Sequence, residues 1–150
     1  MKLIYLQVFF LMVLIPANGQ YRQEQLVTPE RNYITVYTGL FEVNVNYERN
    51  ILMFRHSYSN IRTGIGLWNN LQAYGNEYNI TAVHLIGRKS SHFEIDAGIK
   101  YLQVTSDNAD NIFYPDLFIG YRLEKPDGRF LFRTGLSGLS VINIGTGIKF

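Results

Sequence analysis

From residue 41 to residue 48 the chain alternates without a fault, setting Phe41, Val43, Val45 and Tyr47 against Glu42, Asn44, Asn46 and Glu48. Successive side chains of a strand point to opposite sides, so this is one strand with an apolar face and a charged face. Such a strand must divide two unlike environments. Residues 139–150 keep the same period, with Ile142, Ile144, Thr146, Ile148 and Phe150 on one side and Val141, Asn143, Gly145, Gly147 and Lys149 on the other.

Between these two stretches the alternation returns in segments separated by turn chemistry. The first strand is expected over 33–38, closed by the Gly39 reversal. The third runs over 60–68, setting Ile61, Thr63, Ile65 and Leu67 against Arg62, Gly64, Gly66 and Trp68. A polar, aromatic loop is expected over 69–79, and a fourth strand over 80–86. The fifth, 92–102, opposes Phe93, Ile95, Ala97, Ile99 and Tyr101 to Glu94, Asp96, Gly98 and Lys100. After a second loop over 103–114, the sixth strand, 115–123, opposes Leu117, Ile119 and Tyr121 to Asp116, Phe118, Gly120 and Arg122. Lys125-Pro126-Asp127-Gly128 is a strong turn. The seventh strand, 129–136, then carries Leu131, Arg133 and Gly135 inward, and Ser137-Gly138 reverses into the eighth. The fold class is therefore all-β: an eight-stranded antiparallel up-and-down transmembrane β-barrel over 33–150. One connection is irregular: residues 49–59 are long for a turn and out of phase with the preceding strand, which predicts a bulge near Arg49 and Asn50.

Residues 1–19 have the parts of a signal peptide, with basic Lys2, a largely apolar run to Ile15, Pro16, and small residues at Ala17 and Gly19. Residues 20–32 read as a flexible lead-in. The mature chain is expected to be exported. With 14 Lys plus Arg against 12 Asp plus Glu there is no basic footprint for nucleic acid. The absence of cysteine excludes disulfides, thiolate chemistry and a lipid-anchored N-terminal cysteine. No cofactor or metal site is expected, and the 11 Tyr and 10 Phe suit strands and interfaces.

Alternation alone does not say which face is inside, but the polar face does. It mixes Gly64, Gly66, Gly98, Gly120, Gly135, Gly145 and Gly147 with isolated charges, as a narrow interior requires. The charges balance: Glu42, Glu48, Glu94, Asp96 and Asp116 can oppose Arg62, Lys100, Arg122, Arg133 and Lys149. Such a pair attracts by about 4 kcal/mol at an effective dielectric near ~20, whereas an unpaired buried charge is heavily penalised. The apolar face would meet lipid, with Tyr33, Tyr37, Phe41, Tyr47, Phe93, Tyr101, Tyr121, Phe130 and Phe150 as interfacial girdles.

The carboxy-terminal aromatic, preceded by apolar residues at alternate positions, resembles the last strand of bacterial outer-membrane barrels. That resemblance implies that Phe150 is an insertion signal read by the barrel-assembly machinery. The mature chain also resembles the small OmpA/OmpX-like outer-membrane barrels of the Bacteroidetes type. The residues that carry this are Val45-Asn46-Tyr47-Glu48-Arg49, Arg62-Thr63-Gly64-Ile65-Gly66, His92-Phe93-Glu94, Ile119-Gly120-Tyr121-Arg122 and the closing Gly145 to Phe150. It implies fold and an outer-membrane location, and transfers no active site. With both termini at the periplasm, the 69–79 and 103–114 loops lie outside. Tyr74, Tyr78, Phe113 and Tyr114 are then the residues through which an extracellular protein or glycan would be met.

Two alternatives compete with a structural or interaction role. Arg55-His56-Ser57-Tyr58-Ser59-Asn60 is similar to the His-x-Ser-Asn motif of outer-membrane lipid A deacylases, but the extra residue puts His56 and Ser59 on opposite faces. Gly66-Leu67-Trp68 matches the Gly-x-Trp of lipocalins, exported ligand carriers, yet stands on the third strand rather than the first. His84 and His92 have no metal-ligand spacing, and Glu94 with Asp96 reads as part of a charge network rather than an acid-base pair.

Overall fold

The structure, a computed structural model, describes residues 31–54, 56–70, 72–88, 90–105 and 110–150. The expected leader, 1–19, and the lead-in up to residue 30 lie outside them. Eight strands follow in order: β1 (Asn32–Gly39), β2 (Glu42–Met53), β3 (Ser57–Asn70), β4 (Ala73–Arg88), β5 (Ser91–Val104), β6 (Ile112–Glu124), β7 (Phe130–Ser137) and β8 (Val141–Lys149). Each pairs antiparallel with its neighbour in the chain, and β1 pairs with β8, so the sheet is a closed up-and-down barrel. The last rungs of that seam are Asn32 N–H donating to Phe150 O at 3.2 Å and Phe150 N–H donating to Asn32 O at 2.9 Å.

The register makes the strands lean. From Tyr37 the rungs lead one way through Gly145 and Arg133 to Arg122 of β6. The other way they lead through Asn44, Gly66, Glu77 and Leu102 to Ile112 of the same strand, ten residues away. That stagger is the tilt a closed eight-stranded sheet needs, and it leaves an interior only wide enough for side chains to fill. Asn32 and Lys149 mark the terminal rim; the opposite, far rim carries the β3–β4 and β5–β6 connections.

Strand boundaries depart from expectation at three places. The expected 69–79 loop shrinks to two residues, because β3 and β4 stay in register to Asn70 and Ala73. Asn70 Oδ1 closes this turn by accepting from the N–H of Gln72 at 3.2 Å and of Ala73 at 2.8 Å. The 103–114 loop contracts to 105–111, since β5 continues to Val104 and β6 begins at Ile112. Tyr74, Tyr78, Phe113 and Tyr114 are therefore wall residues and not loop residues. At the terminal rim β2 and β3 pair as far as Met53 and Tyr58, with a register shift between Asn50 and Leu52. That is the bulge expected near Arg49 and Asn50.

The barrel is apolar outside and polar inside. Ile34, Val36, Val45, Ile65, Ile80, Ile99, Ile119, Ile144 and Ile148 are exposed on the outer wall, while Glu48, Glu94, Arg62, Arg122 and Arg133 are buried. Trp68, Phe118 and Leu131 are buried within as well. Large and small inward residues are matched. A Cβ on Gly120 or on its rung partner Gly135 would stand 2.6 Å from the Phe118 ring, so the two glycines form the slot that holds it.

Candidate functional site

The inward charges sort into three layers. The middle one is a ring of three arginines and three carboxylates. Arg62 donates from Nε to Glu48 Oε2 at 2.8 Å, from Nη1 to Asp96 Oδ2 at 2.6 Å and from Nη2 to Glu94 Oε1 at 2.8 Å. Arg122 donates from Nη1 to Glu48 Oε1 at 2.6 Å and from Nε to Glu94 Oε2 at 2.9 Å. Arg133 Nη2 lies 3.0 Å from Asp96 Oδ2 and 3.5 Å from Glu94 Oε1. Charge-assisted, forked bonds of this kind are the strong ones, and three positive charges against three negative leave the ring neutral.

Aromatic rings cover the faces of the guanidiniums. Arg133 Cζ stands 3.7 Å from the centre of the Phe118 ring and 4.1 Å from that of Tyr37, and Arg62 Cζ is 4.8 Å from Tyr37. Arg122 Cζ is 5.7 Å from the Tyr33 ring. The expectation that Tyr33 and Tyr37 belong to the outer girdle is thus corrected. Their exposures are 0% and 4%, because β1 turns Ile34 and Val36 outward and its tyrosines onto the arginines. A guanidinium over an aromatic face is favourable by ~2 kcal/mol or more when desolvated, and that is the partner these two rings take.

Towards the far rim a second layer gathers Glu42, Glu77 and Asp116 around Lys100. Lys100 Nζ donates to Glu42 Oε2 and lies 3.1 Å from Glu77 Oε1 and 3.6 Å from Asp116 Oδ1. Asn44 and Asn143 donate to Glu77 and Glu42 at 2.9 and 3.1 Å, and Thr81 Oγ1 donates to Asp116 Oδ2 at 2.5 Å. At the terminal rim Glu124 accepts from the hydroxyls of Tyr33 and Tyr58 at 3.1 and 3.0 Å. Lys149 is 3.4 Å from Glu124 and donates to Pro126 O at 2.8 Å. Lys149 therefore holds the Pro126 turn and pairs with Glu124, apart from the arginine ring. Between the first two layers remains a cavity of about 20 Å3, lined by Tyr37, Asn79, Asp96, Lys100 and Asn143 among others.

Reasoning from sequence missed Glu77, Glu124, Tyr33, Tyr37 and Tyr58 as interior residues. Glu77 sat inside a supposed loop, but Gly75, Glu77 and Asn79 keep the inward parity against Tyr74 and Tyr78. Glu124 continues the parity of Arg122, one step past the expected end of the strand.

On the outer wall, Tyr78 and Tyr101 have ring centres 6.2 Å apart, and Tyr101 and Phe113 5.1 Å apart, forming an aromatic row across β4, β5 and β6 towards the far rim. Phe93 and Tyr121, at 6.0 Å, form its counterpart nearer the terminal rim. Tyr74 is exposed on the same wall, whereas Tyr114 donates to Gly138 O at 2.9 Å. In the stretch likened to a deacylase motif, Ser59 Oγ lies 2.8 Å from Nδ1 of His84, its rung partner on β4. His56 is at the turn, where its carbonyl accepts from Gly87 N–H at 3.0 Å. The carboxylates Glu48 and Glu94 are on the other side of the wall, so among the described residues neither of them orients this pair. Among the described residues no group of His, Asp and Glu is placed to hold a metal ion.

No protein-family description and no curated protein matches the chain. Among solved structures, the crystal structure of the N-terminal β-barrel domain of Pseudomonas aeruginosa OprF is similar. It shares 12% identity, covering 81% of this chain and 96% of that one, with a TM-score of 0.59. The likeness is one of fold: the same closed antiparallel eight-stranded barrel.

Proposed function

We propose that this chain is a bacterial outer-membrane β-barrel protein with a closed polar interior. Its role is structural, or one of interaction through its far rim. One observation carries the reading: the barrel is inside out relative to a water-soluble one. Isoleucines, valines and leucines are exposed around the wall while three arginines and three carboxylates are sealed within. Water would penalise the first arrangement and lipid rewards it, because a membrane barrel needs an apolar outer band between aromatic girdles. The rows Tyr78-Tyr101-Phe113 and Phe93-Tyr121 fit those girdles. The short strand patterns of the sequence support an OmpA/OmpX-like barrel of the Bacteroidetes type.

In this reading the terminal rim faces the periplasm, outer-membrane lipid surrounds the wall, and Phe150 is the signal met by the assembly machinery. An extracellular protein or glycan would be met at the β3–β4 and β5–β6 tips, with Tyr74, Tyr78 and Phe113 just below on the outer wall. A carrier would need room inside, and a 20 Å3 cavity among charges holds no ligand larger than water. The test is fractionation of cells expressing the full chain. Recovery in the outer membrane, released by detergent alone, supports the reading, and recovery as folded protein from the aqueous periplasm overturns it.

A further inference from the structure

Where β6, β7 and β8 reach the terminal rim, the outer wall carries a hollow with a cationic lip. It is about 530 Å3, lined by Leu123, Phe130, Phe132 and Thr146 of the strands and by Lys125 and Arg129 of the β6–β7 turn. Leu123, Phe130 and Phe132 are exposed, and Lys125, exposed as well, continues their outward row onto the turn. The hollows of about 550, 330 and 400 Å3 elsewhere on the wall have no lysine or arginine in their linings. An apolar lining alone chooses no occupant; two cations beside it do.

Both cations are unspent. Glu124 lines the same hollow, but it accepts from the hydroxyls of Tyr33 and Tyr58 and is shared by Lys149 at 3.4 Å and Arg31 at 3.7 Å. Asp127 stands in the same turn, yet among the described residues neither Lys125 nor Arg129 has an ion-pair partner. The backbone that carries them is fixed. Gly128 N–H donates to Lys125 O at 3.0 Å, Lys149 Nζ to Pro126 O at 2.8 Å and Lys149 N–H to Arg129 O at 2.7 Å. A turn so held need not be ordered when a ligand arrives, which removes part of the cost of binding.

We infer that this hollow binds an anionic phospholipid, its phosphate at Lys125 and Arg129 and an acyl chain along Leu123, Phe130 and Phe132. The inference rests on the membrane reading above, which puts the terminal rim at the headgroups of the periplasmic leaflet. A guanidinium forks onto phosphate oxygens and an ammonium adds a point charge. Basic residues beside a bilayer draw anionic headgroups in this way. A zwitterionic lipid brings its own cation to the same place and gains less.

The test uses the full chain in phosphatidylcholine nanodiscs with a minor share of phosphatidylglycerol or of phosphatidylethanolamine, each carrying a diazirine on the same acyl carbon. At low salt, photolysis should label Leu123, Phe130 and Phe132 about tenfold more with the phosphatidylglycerol probe, a preference of about 1.4 kcal/mol. The two probes should label Ile61 and Ile86, on the opposite wall, alike. Lys125→Gln with Arg129→Gln should bring the probes level at the hollow, and Lys125→Arg with Arg129→Lys should keep the preference. The heat-dependent gel shift checks that each variant barrel is folded. Molar salt, which needs no variant, should weaken the wild-type preference by screening the two exposed charges. Equal labelling by the two probes at the hollow, an equal phosphatidylglycerol excess at Ile61 and Ile86, or a preference that survives the glutamine pair or molar salt would overturn the site and leave the membrane reading intact. A chain that enters no nanodisc would overturn both.

Discussion

Arg122 grips Glu48 fork to fork, Nη1 lying 2.6 Å from Oε1 and Nη2 3.0 Å from Oε2, with neither side chain exposed. Glu48 has a second cation in Arg62 and an amide donor in Asn60, so the pair is one link of a shared ring. Replacing Arg122 by Met leaves Glu48 and Glu94 a charge short inside a closed wall. Urea unfolding in detergent, followed by Trp68 fluorescence, should show a loss of about 3–5 kcal/mol. Arg122→Met with Glu48→Gln should recover part of that loss. Equal stability of wild type and single variant would show that the ring contributes nothing.

Phe118 makes a second, steric prediction. Gly120→Val puts a branched side chain where the Phe118 ring and the backbone of β7 already lie. Such overpacking costs about 1–3 kcal/mol. Ile119→Val, its outward neighbour, should change stability by less than half as much. The comparison is made by the same unfolding measurement, and similar effects at both sites would contradict the assignment of faces.

The backbone and the ring of Phe150 can be tested apart. Its backbone makes the last rungs of the β1–β8 seam, while its ring is exposed on the outer wall. Deleting it should lower the amount of assembled barrel in membranes. Phe150→Ala, which keeps the rungs, should lower it as well if the aromatic ring is the signal. Normal levels of Phe150→Ala with reduced levels of the deletion would assign the whole effect to the seam.

The closed interior predicts electrical silence. With the arginine ring spanning the lumen and a cavity of about 20 Å3 above it, the wild type in planar bilayers should give no steady large conductance. A stable open channel at low voltage would contradict the layered network.

The parity of a strand is legible wherever each face keeps its character, which is why β2, β5 and β7 and the inward placing of Arg62, Arg122 and Arg133 could be read from the chain. It fails for tyrosine. Tyr33 and Tyr37 suit a girdle or a guanidinium equally, and only the arginines of other strands decide between them. It fails too where polar residues occupy both faces. In residues 73–79 the asparagines and tyrosines read as a loop, although Gly75 inside and Tyr74 outside already follow the strand period. The bulge at Asn50 was legible because it shifts a clear apolar pattern by one residue. The layering of the charges was not: Glu77 and Glu124 were missing from the count, and register alone tells which acid meets which base.

The inverted barrel is tested most directly by its choice of solvent. Residues 20–150, refolded from urea, should acquire β-sheet circular dichroism and a heat-dependent gel shift in detergent micelles or lipid vesicles, and should precipitate in buffer without them. A monodisperse, cooperatively folding protein in buffer alone would contradict the account.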